Sequence, residues 1–160
     1  MTFFECYADE TLLKFLGFTS KQLSGGHSFG RSKVTGRLMR SSKSLGLVDE
    51  DPGSARDNYL NYLFKLKPKY LDNNVLIIED NRLENRLVVR PNLESCMVKL
   101  AKERGLDLDA LKYGLSMEPR KLHETLTPKG NSRARLKLIE FMNDASAHPS
   151  IIKMKELIKV

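Results

Sequence analysis

Four short apolar, β-rich runs constrain this chain more than any other feature: residues 2–6, 45–48, 75–79 and 86–90. Each is bounded by glycine, proline or polar clusters, and each is too short for a buried helix, so each reads as a strand. Between them lie segments with helical spacing. Helices are predicted over 9–17, 32–42, 57–67 and 92–104. Asp9 and Asn92 are candidate caps, and Gly17 and Gly105 natural stops. Residues 75–79 and 86–90 fit either a hairpin or two sheet strands joined by a loop. After residue 105 only helical patterns follow, over 108–113, 119–126, 132–145 and 149–160. Strands alternating with helices and then helices alone predict an α/β core with an open, mostly parallel sheet flanked by helices. The expected division is a core over 1–105 and a helical C-terminal extension over 106–160 packed on the same domain, within the size of one domain.

The first two predicted strands run into acid: the first at Glu5, the second at Asp49-Glu50-Asp51. In an open α/β sheet, residues just past the carboxyl ends of strands meet in one crevice. Asp49 and Asp51, two residues apart, point to the same side of an extended chain, and Glu50 points away. Hard oxygen donors converging there suit Mg²⁺ or Mn²⁺. A turn at Asp51-Pro52-Gly53 accounts for the same residues without a metal. Glu94, at a strand-to-helix junction, is a further ligand candidate, and a favourable helix dipole explains it equally well. Glu79 and Asp80 carry the same two readings. If Glu5 and the two aspartates met without an ion they would repel one another, so their removal would leave the fold intact or stabilised.

Between the acidic motifs lies a glycine-rich stretch, residues 22–30, followed by Arg31, Lys33, Arg37, Arg40 and Lys43 with no acid from 27 to 44. Glycines at 25 and 26 can bring backbone N–H groups close to a phosphate, with Arg31, Lys33 and Arg37 adding charge. The whole chain carries a formal charge of +7 and a pI near 9.4, which fits phosphate neutralisation on nucleic acid or a solvated basic surface. Lys129, Arg133, Arg135 and Lys137 form a second basic cluster with the same alternatives. Cys6 and Cys96 form no CxxC pair, so neither a zinc knuckle nor a disulfide framework is indicated. No apolar run reaches membrane-span length and no signal-peptide pattern opens the chain, so a cytoplasmic protein with no membrane partner is expected.

The order of these motifs resembles the Toprim domain, the metal-binding module of topoisomerases, bacterial primases and overcoming-lysogenization-defect nucleases. That family opens with a strand ending in Glu-Gly-x-x-Asp. Glu5-Cys6-Tyr7-Ala8-Asp9 matches at Glu5 and Asp9, with Cys6 in place of the glycine. Gly25-Gly26-His27-Ser28-Phe29-Gly30-Arg31-Ser32-Lys33 is similar to the family's Gly-Gly-Lys-like loop, and Asp49-Glu50-Asp51 to its Asp-x-Asp motif. Leu93-Glu94 is similar to a pair at a strand-helix junction of the nuclease branch.

The resemblance covers roughly residues 2–95. It implies a Toprim-like (Rossmann-like) fold and a small stand-alone nuclease using Mg²⁺ or Mn²⁺ on DNA or RNA phosphodiesters. Glu5 would be general acid or base as well as ligand, with Lys33 a second catalytic candidate. Asp49, Asp51 and Glu94 would complete the metal set. Gly25, Gly26, Arg31, Lys33 and Arg37 would hold phosphate. The chain lacks GxxxxGK[ST], so any ATPase partner would be a separate subunit; a homo-oligomer is also compatible.

Two other classes compete: a non-catalytic Toprim-like module binding nucleic acid or a protein partner, and a receiver-like or other flavodoxin-like fold with an acidic pocket. His27 could contact phosphate, and His123 reads as structural. The stripe Tyr59, Tyr62 and Phe64 reads as core.

Overall fold

The computed structural model describes residues 1–50, 56–70 and 75–158. Among these, the chain is an α/β fold whose strands are β1 (Thr2–Phe4), β2 (Leu45–Asp49), β3 (Lys69–Tyr70), β4 (Leu76–Asp80) and β5 (Asn85–Arg90). They form one open mixed sheet in the order β1-β2-β5-β4-β3. β1 pairs parallel with β2 and β2 with β5, whereas β4 runs antiparallel to both β5 and β3. Four strands therefore point one way and β4 the other, which makes the sheet mostly parallel. Residues 75–90 form a hairpin, with Glu84 at a positive φ of 53° just before β5. The short β3 has no counterpart among the predicted strands.

The helices are α1 (Tyr7–Phe15), α2 (Ser20–Leu23), α3 (Arg31–Met39), α4 (Asn58–Lys65), α5 (Leu93–Arg104), α6 (Pro119–Leu126), α7 (Ser132–Asp144) and α8 (Pro149–Ile158). Three expectations are corrected. The first strand stops at Phe4 and α1 starts at Tyr7, so Asp9 lies inside the first turn, fully buried, rather than capping from outside. The glycine-rich stretch starts later than residue 22, because Gln22 and Leu23 belong to α2. That helix is held by a capping box in which Thr19 and Gln22 bond reciprocally. Residues 108–113 form turns and not a helix. Gly105 and Gly114, at φ 63° and 61°, bracket them, and the Leu115 N–H closes back on the Leu108 carbonyl at 2.8 Å.

The described chain forms two compact units, the first Met1–Cys6 with Thr19–Asn92, the second Tyr7–Phe18 with Leu93–Val160. The first holds the sheet, with α2, α3 and α4. One sheet face packs Phe3, Val48, Leu76, Ile78, Leu87 and Val89 against Val34 and Leu38 of α3 and Tyr59, Leu60 and Leu63 of α4. Gly46 permits this. A Cβ there would lie 3.0 Å from Leu87 and 3.2 Å from Leu38, so its absence lets α3 sit down on β2. Asp57 caps α4 by accepting the Leu60 N–H at 2.8 Å, and its other oxygen accepts from Thr35 of α3.

The second unit is helical. α1 packs on α7 and α6, and α5 on α6. Ala8, Leu12 and Leu13 of α1 and Leu122, Leu126, Leu138, Phe141 and Met142 of α6 and α7 are all fully buried.

Candidate functional site

Parallel pairing of β1, β2 and β5 brings their carboxyl ends to one edge of the sheet. Register then fixes the neighbours: Phe4 lies opposite Leu47, and Asp49 opposite Arg90. Glu5, the residue after β1, reaches across so that its Oε1 accepts the Asp49 N–H at 2.8 Å. Glu5 and Asp49, 44 residues apart in sequence, are thus joined. Arg90 joins them. Its Nη1 stands 2.9 Å from Asp49 Oδ1 and donates to the Pro91 carbonyl at 2.8 Å. The contact with Asp49 is an ion pair by distance, outside the angles of a good hydrogen bond. The Arg90 side chain is only 3% exposed, against 31% for Asp49. Glu50 is exposed, and its N–H donates to the Arg90 carbonyl at 2.6 Å. Asp51 lies outside the described residues.

Sequence reasoning missed Arg90 as a member of this group. The signal was present, since an arginine closing an apolar strand run must find a counter-charge when that strand is central. An ionised carboxylate has about four acceptor sites, so a backbone bond does not bar a cation from Glu5. The donor set fits a hard divalent ion that keeps most of its waters. Among the described residues, no three of His, Cys, Asp and Glu gather as a complete ligand cluster.

Glu94 sits in the second unit. It is 2% exposed in the first turn of α5, and its Oε1 lies 2.9 Å from His123 Nδ1 on α6. His123 Nε2 in turn lies 3.2 Å from the Thr127 hydroxyl, which donates to the His123 carbonyl at 2.8 Å. The arrangement ties α5 to α6. Glu79 and Asp80 likewise have local partners. Glu79 pairs with Lys69 at 2.8 Å and Arg86 at 3.1 Å, and the Lys69 hydrogen bond holds its carboxyl below the usual range. Asp80, 1% exposed, accepts from the Tyr59 hydroxyl at 2.9 Å. Burial, reinforced by Asp80 and partly offset by Asn85, pushes the Tyr59 phenol up to about 12.

The glycine-rich loop is built onto the outer edge of β1. Phe4 N–H donates to the Gly26 carbonyl at 3.1 Å, and Ser28 N–H to the Phe4 carbonyl at 2.9 Å. Gly26 is needed for this approach, because a Cβ would lie 2.1 Å from the Thr2 carbonyl oxygen. Arg37 clamps the loop from α3, donating to the carbonyls of Gly25 at 2.5 Å and His27 at 3.2 Å and to Ser28 Oγ at 3.1 Å. Its guanidinium also lies 4.5 Å from the Phe3 ring centroid. Of the predicted phosphate residues, Gly26 and Arg37 thus serve the loop itself. Gly25 is exposed at φ 69°, Arg31 is half-buried at the start of α3, and Lys33 is exposed in the same first turn.

In the second basic cluster, Arg135 donates to the carbonyls of Leu126, Pro128 and Lys129, and Lys137 pairs with Glu140. Comparison with protein-family models, curated proteins and solved structures finds no match for this chain. No described helix is long and apolar enough to cross a membrane.

Proposed function

We propose that the chain is a Toprim-like phosphoryl-transfer protein, a small nuclease that acts on nucleic-acid phosphodiesters with Mg²⁺ or Mn²⁺. The observation that carries this reading is the 2.8 Å bond from the Asp49 N–H to the Glu5 carboxylate, which sets Glu5 against the end of β2 at the carboxyl edge of parallel strands. Glu5 and Asp49 would hold the ion, with Asp51 the third candidate. The ion would supply charge stabilisation and an activated water. Arg90 stands beside the Asp49 carboxylate, and the exposed Lys33 of α3 would contribute positive charge for a substrate phosphate.

Glu5→Gln and Asp49→Asn test this with two readouts. Mn²⁺ binding followed by electron paramagnetic resonance is expected to weaken at least about tenfold, the cost of disturbing even a residue that orients a ligand. Metal-dependent cleavage of labelled DNA and RNA is expected to disappear. Unchanged Mn²⁺ affinity in both variants, or cleavage that persists in excess chelator, would sink the reading.

A second reading draws on Arg90. A guanidinium 2.9 Å from Asp49 already neutralises one of the two acids, as in a site that has lost its metal. The chain is then a nucleic-acid-binding module, working alone or beside a separate ATPase. Nucleic-acid binding with a steep salt dependence and no response to chelator would favour it.

A further inference from the structure

Phe29 is exposed to 68% in the glycine-rich loop and has a positive φ of 53°. A bulky residue rarely adopts this backbone, and burying its ring would have been the ordinary outcome. Its ring instead lies 3.9 Å, centroid to centroid, from the His27 imidazole at 38°. His27 in turn stacks on Phe4 of β1 at 5.7 Å and 11°. Three rings thus run from the buried strand outward to solvent. The loop carrying them is fixed at both sides, by the backbone bonds to Phe4 and by the Arg37 clamp. The outermost ring follows directly on this anchored stretch, yet it serves no core.

Charge identifies what would cover it. From 27 to 44 the chain has five cations and no acid, and Arg31 and Lys33 follow Phe29 within four residues. An apolar partner protein would not call for such surroundings, whereas a nucleobase with its phosphates needs both a π-face and adjacent cations. A base inside a duplex cannot stack on a side chain without leaving its own stack, so the partner has unpaired bases.

We propose that Phe29, backed by His27 and Phe4, is a stacking platform for an unpaired base, and that the nucleic acid bound is single-stranded at this point. The inference rests on the nucleic-acid reading above and adds the strand class. It assigns Phe29 to binding and to no chemical step.

The chain contains no tryptophan, so Phe29→Trp places a single reporter at the platform. Titration with oligothymidylate is expected to quench its emission, and an abasic strand of equal length is expected not to. By anisotropy, Phe29→Ala is expected to weaken oligothymidylate binding about tenfold, with abasic-strand and duplex affinity unchanged and with Phe29→Tyr restoring it. Melting curves check that the exposed substitution leaves the fold intact. Equal losses on oligothymidylate and abasic strand, or none on either, overturn the platform. The nucleic-acid reading survives that result if Lys33→Gln still weakens duplex binding. If the unmodified protein binds no nucleic acid, both fall. Self-association abolished by Phe29→Ala, with nucleic-acid affinity unchanged, would assign the ring to a protein interface and overturn the proposal.

Discussion

Asp49 sits between two demands. Its N–H holds Glu5, and its carboxylate faces a guanidinium that is 97% buried. Viewed as an isolated cluster of acids, the group should gain stability when an aspartate is removed. Arg90 opposes that gain, because deleting Asp49 would remove a carboxylate that stands 2.9 Å from a buried charge. Loss of one partner of a fully buried pair costs about 3–5 kcal/mol, and the partial exposure of Asp49 reduces this. Asp49→Ala is therefore expected to lower stability by about 2 kcal/mol at neutral pH in urea unfolding. Adding Arg90→Met is expected to recover much of the loss, the non-additivity that marks a coupled pair. If Asp49→Ala is neutral or stabilising, Arg90 is not compensated by Asp49. The meeting of Glu5 and Asp49 was legible from two strands ending in acid. That Arg90 needs a counter-charge was legible too, but its pairing with Asp49 was not, because placement opposite Asp49 depends on which strand β2 takes as its second neighbour, and no local pattern states that.

Among elements, the glycine-rich loop departs furthest from its sequence reading. A glycine pair ahead of a basic helix reads as a phosphate cradle, and Gly25 remains available to that reading. Gly26 does something else: it brings the loop backbone against β1. An alanine Cβ would lie 2.1 Å from the Thr2 carbonyl and 2.7 Å from the Phe4 ring, and a backbone oxygen cannot swing aside as a side chain does. Gly26→Ala is expected to destabilise the protein by at least about 2 kcal/mol and to speed amide exchange at Phe4 and Ser28, whose N–H groups bridge loop and strand. Unchanged protection there would mean that the loop does not depend on this approach.

The longer elements were read well because their periodicity is strong, as in α4, α6 and the β-rich runs of β4 and β5, whereas the caps differ: Asp57, read as the first residue of its helix, caps α4 from outside. Residues 108–113 were not read well, since Leu108 and Tyr113 suggest an apolar face while the glycines that bracket them close turns instead. Two-residue β3 exists only by pairing with β4, a tertiary contact with no local signature.

At the scale of the molecule, chain order and compactness part company. The segment Tyr7–Phe18 leaves the sheet-bearing unit after β1 and joins Leu93–Val160, so the backbone passes between the two units three times. A division drawn after residue 105 would keep α1 and α5 but discard α6 and α7, on which α1 packs. Ala8, Leu12 and Leu13, each fully buried, would then lose their cover. Burial of one leucine is worth about 1.5–3 kcal/mol, and a domain's whole stability is about 5–15 kcal/mol, so exposing two leucines and an alanine removes a large fraction of it. A fragment of residues 1–105 is accordingly expected to bind a hydrophobic dye and to lose the cooperative urea transition of the intact chain. Adding residues 106–160 as a separate peptide should restore cooperativity, because the missing helices supply packing and no covalent constraint. A sharp two-state transition in the fragment alone would show instead that the sheet and its own helices are sufficient. In that case α1 owes its place to the connection through Cys6 more than to the helices around it.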